Sequence, residues 1–237
     1  MSHHLTREEL SLLAKHDTPT VCNVIELFVY RPRTKGYMDQ RIRACFPEMP
    51  PMVGYASTAT FRCSMPRGKE SYGSLDQQAI SFGELPGPPI VVFEDIDNPV
   101  VGATFGELMC TSYKTFGAHG LITSGAGRDL DQVRKIGFPV FTNGTICSHG
   151  YSQIPSINIP VKVGGLTISP GDLIHGDCNG VTTIPKEIAS EVAAICDGYV
   201  EAESIILNYL KSENPIPKGL AKAQKACSEA LQKLVKN

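Results

Sequence analysis

Residues 105–141 read FGELMCTSYKTFGAHGLITSGAGRDLDQVRKIGFPVF, and the rhythm of this stretch decides the fold. Gly106 opens a helical pattern over 107–116, which Gly117 and Gly120 end. Leu121, Ile122 and Thr123 make a short strand, and Gly125-Ala126-Gly127 reads as a turn. A second helix is predicted over 129–136, with Leu130, Val133 and Ile136 on one face. Gly137 and Pro139 stop it, and a strand resumes at 140–142. Strand and helix alternate with short connections, which predicts an α/β fold built from βαβ units.

Upstream, 89–93 (PIVVF) is a short, wholly apolar run, as expected of a buried strand, and it ends in Glu94, Asp95 and Asp97. The stretch 53–61 alternates and reads as a strand, and 75–82 as a helix. Thr6 with Glu9 fits a capping box for a first helix carrying Leu10, Leu12 and Leu13. Asp17-Thr18-Pro19 starts a second helix through Val21, Val24, Ile25 and Phe28. Residues 30–51 are rich in Pro, Arg and Gly and read as an irregular excursion.

Downstream the texture turns to β. Residues 157–168 read as a hairpin about Gly164-Gly165. Strands are expected at 173–176 and 181–184, joined by the turn Asp177-Cys178-Asn179-Gly180. A long amphipathic helix follows to about 210, Pro215 and Pro217 break it, and a polar helix over 220–235 closes the chain. The whole of 1–237 is read as one domain, with an N-terminal helical segment to about 50 and a helical tail over about 211–237.

The 237 residues suffice for one full core, and 42% hydrophobic with 19% charged residues is ordinary for a globular chain. A net charge of −2 offers no basic field for nucleic acid or an anionic membrane. The first nine residues carry no apolar signal-like core, and no apolar run approaches membrane-spanning length. The eight cysteines are scattered without a C-x-x-C or zinc-like spacing. They read as reduced thiols, and the expected location is cytoplasmic.

The chemistry centres on two glycine-containing turns, Gly106-Glu107-Leu108 and Gly125-Ala126-Gly127-Arg128-Asp129. A helix starting at such a turn offers free N–H groups and a positive dipole end, a seat for a carboxylate or phosphate. Arg128 can add a planar bidentate contact to a carboxylate or enolate. Asp129 is a hard oxygen donor suited to Mg2+ or Mn2+. Taken alone, Asp129 could equally N-cap its helix, and Arg128 could pair with a surface carboxylate. Glu94, Asp95 and Asp97 read as a solvated strand end beside the cleft. His119 and His175 read as surface or packing residues, and His149 could reach the pocket. Cys178 has no neighbouring base, and no G-x-S-x-G elbow exists.

The stretch 105–141 resembles the RraA-like family. That family includes the class II pyruvate aldolases acting on 4-hydroxy-4-methyl-2-oxoglutarate and 4-carboxy-4-hydroxy-2-oxoadipate. Glu107, twenty intervening residues and Arg128-Asp129 match its acidic residue and Arg-Asp pair. Gly117, Gly120, Leu130-Asp131 and Gly137-Phe138-Pro139-Val140-Phe141 fit too, as do Gly164-Gly165, Pro170-Gly171-Asp172, Gly176-Asp177 and Gly180-Val181. The resemblance covers roughly 53–210 and implies a layered, swivelling β/β/α-type sandwich with a central mixed sheet and a C-terminal helix. Trimers or hexamers with sites between subunits are implied as well.

By position, Arg128 resembles the arginine that binds the pyruvate moiety and stabilises its enolate. Asp129 resembles the metal ligand, and the backbone of Gly106, Glu107 and Leu108 the carboxylate cradle. Glu107 resembles the acid that organises metal-bound water. Glu203, with Glu201 next, is the candidate for a glutamate reaching a neighbouring subunit's site. The family more often has Asp at position 107, and Asp where this chain has Ser124. The implied activity is divalent-metal-dependent cleavage of a 4-hydroxy-2-oxo acid to pyruvate and a second carbonyl product, and the same enolate chemistry would decarboxylate oxaloacetate. The implied alternative is a non-catalytic protein that binds and inhibits an RNA-processing endonuclease.

Overall fold

The computed structural model describes residues 4–70 and 72–235, so the first three and last two residues of the expected terminal segments lie outside it. The chain begins with α1 (Arg7–Leu13) and α2 (Thr18–Leu27), then β1 (Arg43–Ala44), β2 (Met52–Phe61), α3 (Leu75–Ser81) and β3 (Pro89–Asp95). Next come β4 (Ala103–Phe105), α4 (Glu107–Thr115), β5 (Gly120–Thr123), β6 (Ala126–Gly127), α5 (Leu130–Lys135) and β7 (Val140–Thr142). The chain closes with β8 (Val161–Val163), β9 (Leu166–Ile168), β10 (Leu173–Asp177), β11 (Gly180–Ile184), α6 (Ala189–Leu210) and α7 (Pro217–Leu234).

Seven strands form the central mixed sheet, in the order β1-β7-β5-β3-β2-β10-β11. The inner four, β7, β5, β3 and β2, are parallel, and the flanking pairs β1–β7, β10–β2 and β11–β10 are antiparallel. One face carries helices. Val53 and Tyr55 of β2 pack with α1, α2 and α6, while Ala59 and Phe61 join Cys110, Tyr113 and Val133 from α4 and α5. The other face carries the β8–β9 hairpin, whose Val161, Val163 and Ile168 pack on Ala56, Ile90, Val92 and Ile122. The result is the expected layered β/β/α arrangement. Both faces are covered, so all ten residues of β2 are buried, and its polar–apolar alternation does not mark a solvent side.

Local chemistry explains most boundaries. Thr6 and Glu9 make the predicted reciprocal capping box, and Asp17 caps α2 through Thr20 N–H at 2.8 Å. The excursion at 30–51 is not idle, because Met38 and Ile42 close the hairpin face and Phe46 the α4–α5 face. Pro217 does not break a helix but starts α7 as its first residue, where a fixed φ helps and no N–H is missed. All eight cysteines are free thiols. Among the described residues no helix is long and apolar enough to cross a membrane.

Candidate active site

β4 and β6 form a parallel pair of their own, outside the seven-stranded sheet. The predicted turn at 125–127 is therefore partly strand. Residues 144–146 flank its other edge, with Gly127 N–H donating to Gly144 O at 3.0 Å and Ile146 N–H to Gly127 O at 3.1 Å. β4 leads into α4 and β6 into α5 with one or two residues between, so pairing the strands sets two helix N-termini side by side.

Two glycines make the approach close enough. A Cβ on Gly127 would stand 2.0 Å from the Phe105 ring, which fills the space a side chain would need. A Cβ on Gly106 would stand 2.6 Å from Asp129 Oδ2 and 3.2 Å from Arg128 Cγ and Nε. Gly106 is needed for this contact and not for its backbone, which is extended.

Asp129 has φ 56° and ψ 38°, a left-handed conformation that costs roughly 1 kcal/mol in a residue other than glycine. The twist takes its carboxylate away from its own helix, and no side-chain cap bond forms. The simple N-cap reading of Asp129 is thus excluded. Its Oδ2 accepts instead from Glu107 N–H of α4 at 3.0 Å. Oδ1 has no hydrogen-bond partner among the described residues. Arg128 Nε lies 3.7 Å from Asp129 Oδ2, and both side chains are about one-third exposed (36% and 35%). No other carboxylate pairs with Arg128 among the described residues, so its guanidinium stays open to a ligand.

At the start of α4 the Glu107 N–H is spent on Asp129, while the first N–H with a partner one turn back is that of Cys110. Leu108 and Met109 N–H therefore remain as anion donors at the positive end of the helix. Within the expected cradle of Gly106, Glu107 and Leu108, it is Leu108 that has the free N–H, beside a side chain 78% exposed. Glu107 is exposed at the same helix end. Among the described residues no group of three or more His, Cys, Asp or Glu comes together as a metal cage. A lone, half-open carboxylate does suit an ion that keeps most of its waters, as Mg2+ does.

The other candidates lie elsewhere. Glu203 accepts a hydrogen bond from Tyr199, whose hydroxyl burial and the nearby Glu203 charge push up to about 12, and Cys227 of α7 is close by. It does not join Arg128 within one chain. Glu201 is exposed. His149 hydrogen-bonds Gly150 O at 2.8 Å and lies by Cys63 and Gly102, not by Arg128. His119 sits at the opposite, amino edge of the sheet, in a cavity of about 940 Å³. That cavity lies away from Arg128, and α/β sheets bind ligands at the carboxyl ends of their strands, where β4 and β6 deliver the arginine.

The carboxylates ending β3 are wired in rather than solvated. Asp97 accepts from Cys63 N–H at 2.6 Å and Ser64 Oγ–H at 2.5 Å, and Glu94 Oε2 accepts from Lys162 N–H at 2.8 Å. Asp95 Oδ1 accepts from Asp97 N–H at 2.9 Å, while Oδ2 is buried against Gly125 with no partner. Burial, with the Asp97 charge adding to it, raises the Asp95 carboxyl to about 6. Sequence reading also passed over Asn143 and Lys162, which line cavities beside β6. Their only signal was position, at a strand end and in a hairpin.

Comparison with known proteins brings in four matches. A family model described as RraA-like, Aldolase/RraA, matches residues 18–183. A Halalkalibacterium halodurans protein provisionally named a 4-hydroxy-4-methyl-2-oxoglutarate aldolase is 40% identical over 102 residues, 43% of this chain and 48% of that protein. Among solved structures, an uncharacterized protein from Pseudomonas syringae pv. tomato superposes with a TM-score of 0.74 at 20% identity, over 95% of this chain and 96% of that one. Streptomyces coelicolor RraAS2, described as an unusual member of the RNase ES inhibitor RraA protein family, gives 0.68 at 21% identity, over 85% and 96%. At these identities the structural likeness concerns the fold alone. The alignments span 48%, 44% and 22% of the length of three such curated relatives, from Halalkalibacterium halodurans, Methanocaldococcus jannaschii and Legionella pneumophila.

Proposed function

The chain belongs to the RraA-like family, and on that premise we propose that it is a divalent-metal-dependent lyase that cleaves a 4-hydroxy-2-oxo acid to pyruvate and a second carbonyl product. One observation carries the proposal: Arg128, Asp129 and the open start of α4 meet at Gly106, where a single methyl group would collide with Asp129 Oδ2. The name of the Halalkalibacterium halodurans relative supports the same reaction class.

In this reading Leu108 and Met109 N–H bind the substrate carboxylate, helped by the helix dipole. Arg128 donates to the 2-oxo group and neutralises the charge that collects there as the C3–C4 bond opens. Asp129, through Oδ1, would be the residue that holds Mg2+ or Mn2+, an ion that tolerates a single protein carboxylate because it keeps most of its waters. Such an ion supplies Lewis-acid polarisation of the keto oxygen. Glu107, fixed at the helix start, holds water near that oxygen. The hydrogen bond to Oδ2 and the left-handed backbone keep Asp129 aimed without a partner on Oδ1.

The proposal extends to assembly. A trimer or hexamer would cover exposed Leu108 and exclude water from Arg128, and Glu203 or Glu201 of one copy would approach the site of another. The same residues would decarboxylate oxaloacetate, with carbon dioxide leaving from the enolate carbon.

Pyruvate release from 4-hydroxy-4-methyl-2-oxoglutarate, followed with Mg2+ and with chelator, tests this. Turnover that the chelator abolishes, and that Arg128→Ala lowers about 10³-fold without changing Tm, is expected. A protein that forms no pyruvate from any 2-oxo acid, and keeps its biological role in Arg128→Ala, would instead be the non-catalytic inhibitor of an RNA-processing endonuclease.

A further inference from the structure

Two cavities open on the carboxyl edge of the sheet and share Asn143. One, about 250 Å³, is lined by Arg41, Ser124, Asn143, Lys162 and the Gly164-Gly165 turn. The other, about 150 Å³, is lined by Gly125, Ala126, Asn143 and residues 144–146. Together they follow the chain through 124–126, directly before Gly127 and Arg128. Side chains alternate in an extended segment. The missing side chain of Gly127 would point into the Phe105 ring and the core. Ala126 and Arg128 therefore share the opposite face, and Ala126 lines the second cavity.

The far end of this groove is held in place and has a cation to spare. Arg41 is engaged by Asp39, with bonds of 2.9 Å to Oδ1 and 2.6 Å to Oδ2. The Lys162 ammonium has no ion-pair partner among the described residues. Its backbone N–H is tied to Glu94 Oε2 at 2.8 Å, which pins the hairpin to the end of β3. Ser124 Oγ is occupied by Asp95 N–H at 2.9 Å. The Asn143 side-chain amide has no partner among the described residues, while its backbone N–H is fixed by Gly125 O at 3.0 Å. Of the acids near these cavities, Asp39 is committed to Arg41, Glu94 to the hairpin backbone and Asp95 in part to Asp97 N–H, while the Lys162 ammonium and the Asn143 amide have no partner among the described residues.

We propose that this groove takes the end of the substrate distal to its 2-oxo acid group, and that Lys162, assisted by the Asn143 amide, selects substrates with a second carboxylate there. The inference rests on the aldolase reading of Arg128 and Asp129. It adds the residues that set specificity and the direction in which the substrate lies.

The test compares the full chain with Lys162→Ala, Lys162→Arg and Asn143→Ala on two substrates. One is 4-hydroxy-4-methyl-2-oxoglutarate, which has a second carboxylate, and the other 4-hydroxy-2-oxopentanoate, which lacks one. The ratio of kcat/KM for the diacid to that for the monoacid is expected to fall about 10-fold in Lys162→Ala, through KM rather than kcat. It should fall about threefold in Asn143→Ala and be largely restored in Lys162→Arg. An unchanged ratio in Lys162→Ala, with the wild-type protein active, overturns the inference alone. A wild-type protein that cleaves neither substrate overturns the aldolase reading and this inference together.

Discussion

Two polar constellations in this chain have opposite characters. His175, on β10, is 0% exposed and every atom of its ring that can bond does so. Nε2 meets Leu13 O at 3.1 Å, so it must carry the proton, and Nδ1 accepts from Thr18 Oγ–H at 2.9 Å. Burial lowers the His175 pKa and keeps the ring neutral. Asp177 completes the set, with Oδ2 accepting from Thr18 N–H at 3.0 Å and Oδ1 from Asn179 N–H at 2.8 Å. At Arg128 and Asp129, by contrast, the guanidinium and Asp129 Oδ1 have no hydrogen-bond partner among the described residues, and the Asp129 backbone is held in a costly conformation. The first set fastens α1 and α2 to the sheet. The second keeps its free atoms for something that is not part of the chain.

If that division holds, damage to the two should separate activity from stability. Of the changes that separate the two, Gly106→Ala comes first, below only Arg128→Ala in expected effect. The new methyl displaces Asp129 Oδ2 from Glu107 N–H, and kcat/KM should drop about 100-fold with Tm changed by less than about 3 °C. Full activity in this variant would show that the close approach does not matter. Thr18→Val should do the reverse. It leaves His175 Nδ1 buried without a donor and should cost about 2 kcal/mol, read as a lower denaturant midpoint at unchanged slope, with kcat/KM within about twofold of wild type. A loss of turnover at full stability would erase the distinction.

Asp95 lies between the two types, wired on Oδ1 and orphaned on Oδ2, and predicts the smallest effect. Its carboxyl holds a proton more tightly in the folded chain, at about 6, than an unfolded carboxyl does. The contribution is present below about pH 4 and lost as the pH rises through 6. In Asp95→Asn nothing titrates, so the stability of the variant relative to wild type should rise by about 1 kcal/mol between pH 4 and pH 8, after allowance for solvent screening. Parallel stability curves across that range would mean the carboxyl ionises without penalty.

The β–α alternation of 105–142 was legible in the sequence, because glycine stops and apolar spacing are local signals, whereas Arg128 and Asp129 stood out from a capping residue and a surface ion pair only through the family resemblance. Ala126-Gly127 was not legible as a strand. Two small residues carry no period of their own, and their partners at 103–105 and 145 lie about twenty positions away. The wiring of Glu94 and Asp97 failed for the same reason, since their donors are Lys162, Cys63 and Ser64. The α4 and β6 halves of the candidate site could be named from the family resemblance. Asn143 and Lys162 could not, because a polar residue at a strand end or in a hairpin looks like any solvated one until a cavity is seen beside it.

The Phe105 ring seated on Gly127 also binds the histories of two positions. Any side chain at 127 requires the ring to leave, and removing the ring leaves a hole in the core around Cys110 and Tyr113 that a methyl at 127 cannot fill. Neither position can drift by itself, and a change at one is tolerated only alongside a change at the other. The outward face of Arg128 is in this way guarded by an aromatic residue buried on the side away from it.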